Sequence, residues 1–167
     1  MSTPQPQTPC PADAPLPAGA STAPVSIHVQ RRIAASAKVL FEAWLDPESI
    51  AVWMRPFDTV HTEVQADPVV GGRYRIDMHQ PDGAVIPHIG QYVEIVPHRR
   101  LVFTWSSPAT LHRDSLVTIE FIEADGATDV SLTHEQLPGH MARAHVGGWT
   151  GALDKLAAHA NAAGGAP

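Results

Sequence analysis

Apolar and polar residues alternate along five successive segments between residues 72 and 136. Because neighbouring side chains of a β-strand point to opposite faces, this alternation predicts strands with one buried face. Turn sequences separate the segments, as at Pro81-Asp82-Gly83 and Asp125-Gly126, and they predict hairpins. We therefore expect an antiparallel meander with strands at residues 72–79, 86–96, 100–107, 114–123 and 128–136.

The segment before the meander combines strand and helix patterns. Alternation from Val25 to Ile33 predicts one strand, and Val60 to Ala66 predicts another. Between them, apolar residues at helical spacing follow Ser36, which has the side chain of an N-cap. Asp46-Pro47-Glu48 then has the composition of a helix start, and it predicts a second short helix ending near Trp53.

One long helical pattern remains, from about His140 to His159. It places Met141, His145, Trp149, Ala152, Leu153 and Leu156 on one face. Gly147-Gly148 inside this helix costs roughly 1 kcal/mol per glycine relative to alanine, so it suggests the close approach of another backbone or a bend. When a single helix packs across a curved sheet, we expect a pocket between the helix and the sheet.

Composition divides the chain into a tail, a domain and an end. Residues 1–24 hold seven of the 16 prolines and predict a disordered tail, with a partner-binding polyproline segment as the alternative. Residues 25–160 are expected to form one domain, followed by a frayed C-terminus at 161–167. Cys10 is the single cysteine, so an internal disulfide is excluded.

Charge and hydropathy exclude some partners. The formal net charge of −6 argues against nucleic-acid binding, because phosphate recognition needs a basic surface. The apolar runs are too short for a membrane span, and the N-terminus lacks a secretory pattern. We expect a cytoplasmic protein without nucleic-acid or membrane partners.

Several strings, in this order, resemble one known superfamily. They are Asp46-Pro47-Glu48 with Trp53, Gly71-Gly72-Arg73-Tyr74, Gly90 to Pro97, Leu101 to Trp105, Val117 to Phe121, Leu132-Thr133-His134-Glu135, and Gly147-Gly148-Trp149 with Leu153. The chain resembles the START-like superfamily, also called SRPBCC or birch-allergen-like, over residues 25–160. Within it the match is to the family named after the activator of the heat-shock-protein-90 ATPase.

This resemblance implies an α+β helix-grip fold. A curved antiparallel sheet of six to seven strands, two short helices and a long C-terminal helix would enclose a mostly apolar cavity. Relatives bind lipids, hormones or polyketides there. In the namesake co-chaperone a separate N-terminal domain makes most of the chaperone contact, and only about 24 residues precede the first strand here. A chaperone partner is therefore the less favoured reading.

We expect a cavity that binds a small hydrophobic molecule without a cofactor. Strand alternation and helix spacing give the expected ligand-binding residues, which are Trp53, Phe57, Tyr74, Tyr92, Phe103, Trp105, Phe121, His134, Met141, His145 and Trp149. The face of strand 86–96 is ambiguous and a bulge could bring parts of both faces inward. Two alternatives are a metal-free cyclase, dehydratase or hydrolase and a co-chaperone-like interaction module. A homodimer is also left open.

The ten histidines raise the question of catalysis or metal binding. His134 and His145 are the only candidates for a titratable group in the cavity, and a hydrogen-bonded His134 in the wall is favoured over a general base. No pair of ligands stands at one-turn helical spacing, so no metal is expected. His61, His79, His98 and His159 are expected at the surface.

The segment from Ala51 to Thr59 is expected to close one end of the cavity. Trp53, Met54 and Phe57 are too apolar to prefer water, and Pro56 prevents regular helix. We expect these three to meet the C-terminal helix near Met141 and His145. They would form either a gate at the entry path or a static plug.

Overall fold

The computed structural model describes residues 22–164, with side chains through residue 162. Its strands are β1 (Pro24–Ile33), β2 (His61–Ala66), β3 (Arg73–His79), β4 (Val85–Val96), β5 (Arg100–Trp105), β6 (Ser115–Ala124) and β7 (Ala127–Pro138). Its helices are α1 (Ala37–Leu45), α2 (Pro47–Trp53) and α3 (Ala142–Gly164), with single 3₁₀ turns at Pro108–Thr110 and Gly139–Met141. The tail expected at residues 1–24 lies almost wholly outside the described residues, and so do residues 165–167.

The seven strands form one antiparallel sheet in the order β1-β7-β6-β5-β4-β3-β2. Strands β2 to β7 follow one another as a meander, and β1 returns to pair with β7, so β1 and β2 are the two edges. The two short helices connect these edges, and α3 packs across the sheet against β1, α1 and α2. The α+β helix-grip fold expected from the sequence is confirmed.

Local sequence determines where the two short helices begin. The Ser36 hydroxyl accepts a hydrogen bond from the Val39 amide at 3.2 Å and caps α1. The Asp46 carboxylate accepts from the Glu48 amide at 3.2 Å and from the Ser49 hydroxyl at 2.9 Å, and it caps α2. Such caps satisfy amide groups that have no partner inside the helix, which is worth about 1 kcal/mol each.

A bulge in β4 resolves the ambiguous strand. The pairing with β5 shifts register between Tyr92 and Glu94. As a result His88 and Tyr92 are buried while Ile89 and Val93 are each 49% exposed, and Ile95 beyond the bulge packs against the core. An extra residue in one strand reverses the alternation of faces, which explains why periodicity alone was ambiguous here.

Large aromatic side chains fill most of the space between the sheet and the helices. The Trp44 ring lies 4.6 Å from Trp53 and 6.4 Å from both Phe121 and Trp149 (centroid distances). Trp53 is fully buried, and its indole N–H donates to the Ala43 carbonyl at 3.1 Å. The core therefore occupies volume that the sequence had assigned to a cavity. In residues 22–164 no helix is long and apolar enough to cross a membrane.

Candidate functional site

A cavity of about 180 Å³ lies between the sheet and the N-terminal half of α3. Its walls come from the segment after α2, from β3 and β4, from the end of β5, and from α3. The lining residues are Met54, Pro56, Phe57, Thr59, Met78, Gln80, Ile86, His88, Trp105, Ala109, Met141, Ala144, His145, Gly148, Trp149 and Ala152. Cavities of about 150 Å³ hold a benzene molecule, and drug-sized ligands need about 300 Å³ or more, so this one suits a single ring or a small bicycle.

Five of the eleven residues expected to bind ligand line this cavity, namely Phe57, Trp105, Met141, His145 and Trp149. Tyr74, Tyr92 and Phe103 instead line a deeper void of only about 20 Å³, enough for one water molecule. Trp53, Phe121 and His134 line neither void. The space is smaller than expected because Trp44, Trp53 and Phe121 pack into its deep end.

His134 lies at the centre of a closed hydrogen-bond network. The Trp149 indole N–H donates to His134 Nδ1 at 3.0 Å, and since an indole nitrogen can only donate, Nδ1 carries no proton. His134 Nε2–H then donates to the Ser115 hydroxyl at 2.6 Å, which in turn donates to the Trp105 carbonyl at 2.6 Å. Both ring nitrogens are occupied, and no lone pair remains to accept a proton.

Burial keeps this imidazole neutral. Desolvation, with a smaller contribution from nearby His145, lowers the pKa of His134 from 6.5 to about 3. A neutral ring that accepts from α3 and donates to β6 holds the helix on the sheet. Of the two roles weighed for His134, the geometry fits the hydrogen-bonded residue and offers nothing to a general base, although the ring lies behind the cavity wall and does not line it.

His145 differs from His134 because only one of its two ring nitrogens, Nδ1, makes a hydrogen bond among the described residues. Its Nδ1 lies 2.9 Å from the Met141 carbonyl, which can only accept, so Nδ1 carries the proton and Nε2 has the lone pair. Burial lowers the pKa of His145, and the hydrogen bond to Met141 opposes this shift. The half-buried ring lies edge-on to His134 with centroids 5.2 Å apart.

His88 is the titratable residue of the cavity that the sequence analysis missed. It is 9% exposed, and burial lowers its pKa to about 4, with the carbonyls of Ile76 and Ile86 opposing the shift. The alternation of Ile86, His88 and Tyr92 before the bulge is the signal that could have found it.

Two buried polar atoms in the cavity wall have no hydrogen-bond partner among the described residues. They are Nδ1 of His88 and the indole Nε1 of Trp105. Their rings are neighbours, with centroids 4.8 Å apart. A buried polar group without a partner costs about 1–3 kcal/mol, so native proteins rarely retain one without a reason. Both side chains line the same cavity, so a small rotation of either ring would bring its unpartnered nitrogen within reach of a bound molecule.

The segment after α2, residues 54–60, covers the cavity, and we call it the lid segment. Phe57 at its tip is 66% exposed and has a φ of +52°, a strained conformation for a residue with a side chain. Hydrogen bonds fasten both sides of the tip. The Thr62 hydroxyl donates to the Met54 carbonyl at 2.8 Å, and the Thr59 hydroxyl donates to the Pro56 carbonyl at 2.7 Å.

The paired glycines of α3 lie against the lid segment. A Cβ at Gly147 or Gly148 would lie 3.3 or 3.4 Å from the Phe57 ring. The close approach inferred from the sequence is therefore made by a side chain, not by another backbone. The placement expected for Met54 and Phe57, beside Met141 and His145, is what the structure has. The placement expected for Trp53 is wrong, because that ring lies in the core beside Trp44 and does not border the cavity.

The amino-acid sequence matches a known protein family. The sequence profile described as activator of Hsp90 ATPase homolog 1-like protein matches residues 34–161. The chain belongs to this family. The resemblance inferred from the sequence strings is thus confirmed, and members of this fold group commonly bind hydrophobic ligands. A search of the curated proteins found no match.

Several solved structures share the fold. The AHSA1-like protein from Aeromonas hydrophila is 27% identical, with a TM-score of 0.68 over 84% of this chain and 94% of that one. Protein CV1439 from Chromobacterium violaceum is 25% identical, with a TM-score of 0.71 over 81% and 96%. A protein of unknown function from Staphylococcus aureus, 21% identical, has a TM-score of 0.74 over 86% and 97%, a likeness of fold alone.

Proposed function

We propose that this protein binds a small neutral molecule of one or two rings that carries one hydroxyl or carbonyl group, in the cavity beneath Phe57. The observation that carries this proposal is a mostly apolar cavity lined by two polar side chains, His88 and Trp105, whose Nδ1 and Nε1 atoms make no hydrogen bond among the described residues. Ligand sites commonly combine an apolar surface with a few polar groups that fix orientation.

The polar atoms define the ligand group. The Trp105 N–H can only donate, so it requires an acceptor, and a hydroxyl or carbonyl oxygen supplies one. A hydroxyl can also donate to an imidazole nitrogen that carries no proton, which a carbonyl cannot do. A charged ligand group is disfavoured because no described residue that lines the cavity is an acid, a lysine or an arginine, and burial lowers the pKa of both imidazoles, which favours their neutral form.

The binding test uses three ligands that each contain one benzene ring. Benzene, phenol and benzoate are titrated into tag-free protein and followed by calorimetry and by tryptophan fluorescence, since Trp105 and Trp149 line the cavity. We expect phenol to bind most tightly, benzene more weakly, and benzoate most weakly. Absence of binding by all three, or tightest binding by benzoate, contradicts the proposal.

A matched pair of alanine variants locates the site. Both Ala144 and Ala158 are exposed positions of α3, but only Ala144 lines the cavity. Ala144→Leu adds bulk at the edge of the cavity and is expected to weaken phenol binding at least tenfold. Ala158→Leu adds the same bulk elsewhere and should leave binding within twofold. Equal affinities in the two variants would place the phenol site outside this cavity.

A metal-free enzyme is the second candidate, and His145 is the observation that favours it. Its Nε2 carries a lone pair in the cavity wall, as a general base requires. The binding proposal expects phenol and related compounds to be recovered unchanged after incubation. Conversion of a compound by the parent protein that His145→Gln abolishes would favour the enzyme. The cytoplasmic location expected from the sequence stays a prediction, and the homodimer and the less favoured chaperone partner stay open.

A further inference from the structure

Three side chains with metal-binding atoms meet on the outer face of the sheet, where the edge strand β2 pairs with β3. His61 on β2 lies directly opposite His79 on β3. Glu63, two residues after His61, points to the same face because strand side chains alternate. The ligand atoms of the three residues all lie within 4.8 Å of one another. This cluster lies outside the cavity described above.

The distances suit one ion between the three side chains. His61 Nε2 lies 3.6 Å from one carboxylate oxygen of Glu63, and His79 Nε2 lies 3.6 Å from the other. A tetrahedral zinc ion with bonds of about 2.0–2.1 Å holds its ligand atoms about 3.3 Å apart. The two 3.6 Å distances exceed this value by a few tenths of an ångström, and the pair of histidine nitrogens lies within 4.8 Å. The side chains of His61 and Glu63 are exposed, so rotations about their side-chain bonds can bring the three ligand atoms together.

His79 supplies a second, independent indication. Its Nε2 is buried, yet it makes no hydrogen bond among the described residues, and 3.6 Å to Glu63 is too long for one. The neighbouring carboxylate of Asp77 differs, because both of its oxygens accept from the Arg75 guanidinium at 2.9 and 3.0 Å. Among the described residues no arginine pairs with Glu63, whose two carboxylate oxygens face the two imidazoles.

We propose that His61, Glu63 and His79 bind a divalent transition-metal ion of the zinc type. Two imidazoles and one carboxylate are a ligand set that zinc uses in proteins, with a fourth position left for water, and imidazole selects such ions over magnesium and calcium. Because the ligands come from both strands, the ion joins the edge strand β2 to β3. These ligands are not one helical turn apart in sequence, which is the spacing that the sequence analysis tested. They come together because His61 and His79 are paired across two neighbouring strands.

Calorimetry with zinc tests the proposal on full-length protein without a histidine tag. We expect one zinc ion per chain and no heat of binding for magnesium. His79→Gln and, separately, His61→Gln should each weaken zinc binding at least tenfold. The control is His112→Asn, which removes an exposed imidazole on the loop after residues 108–110, where φ is +57° and asparagine is tolerated. It should leave the affinity within twofold.

Thermal unfolding gives a second readout. An ion that binds only the folded state raises Tm, so zinc should raise the Tm of the parent and of the control but not of either glutamine variant. The metal-free melting curves of the variants show whether they fold, and exposed His61 provides a fallback if the His79 variant does not. Unchanged zinc affinity in both glutamine variants, or equal binding of magnesium, overturns the proposal.

Discussion

Replacing His88 with leucine should make the stability of the protein less sensitive to acid. The folded protein holds His88 at a pKa of about 4, mainly through burial, whereas the unfolded chain has the ordinary value of 6.5. Between these values the unfolded state binds more protons, so stability falls as the pH drops from about 6.5 towards 4. Above pH 6.5 His88 is neutral in both states, so this loss of stability is absent there.

The size of this effect follows from the two pKa values. At pH 5 the unfolded imidazole is almost fully protonated and the folded one almost fully neutral, which costs the parent about 2 kcal/mol relative to pH 7.5. Leucine has no proton to bind and no unpartnered Nδ1. At pH 7.5 the variant should therefore be at least as stable as the parent, because loss of that buried atom offsets any repacking cost of about 1 kcal/mol.

Urea unfolding at pH 7.5, 6.5, 5.5 and 5.0 measures this difference. The difference in unfolding free energy between His88→Leu and the parent should grow by about 2 kcal/mol from pH 7.5 to pH 5. His134 titrates in both proteins, so its contribution cancels. The control His112→Asn changes an exposed imidazole and should show no such growth. A difference that stays constant with pH would refute the assignment of His88 as a buried neutral group.

The remaining predictions concern α3 and the lid segment. Trp149→Phe removes the donor to His134 Nδ1 and leaves that buried atom unpartnered, so urea unfolding should show a loss of about 2–4 kcal/mol, and a loss below 1 would contradict the network. Gly148→Ala should gain about 0.5–1 kcal/mol from helix propensity, because its Cβ meets the Phe57 ring at ordinary contact distance; a loss of stability would show that the ring cannot yield. Amides of residues 54–60 should exchange hydrogen faster than those of β5 and slow down with phenol, whereas equally slow exchange would make this segment a fixed plug.

Local patterns were sufficient to predict the order of strands and helices. Alternation, the caps at Ser36 and Asp46, and the turn at Asp125-Gly126 act over a few residues and were all visible in the sequence. The size of the cavity was not predictable in this way. It depends on how side chains from α1, α2 and β6 pack together, as Trp44, Trp53 and Phe121 do at its deep end.

Contacts between residues that are far apart in sequence explain what the sequence analysis missed at the candidate sites. The partner of His134 is Ser115 on the neighbouring strand, and only the register of β6 with β7 brings the two together. The bulge after Tyr92 concealed the inward position of His88. In the same way, His61 and His79 are separated in sequence and become neighbours only through the pairing of β2 with β3.

The pairing of β1 with β7 has a consequence for synthesis on the ribosome. His28 and Thr133 are opposite each other in the sheet but 105 residues apart in sequence. Translation adds about 5–20 residues per second, so β7 is synthesised roughly 5–20 s after β1. During that interval the apolar side chains of Ile27 and Val29 have no sheet to join. Sheet completion is therefore a late event, and the nascent chain is most exposed to chaperones and to aggregation just before β7 emerges.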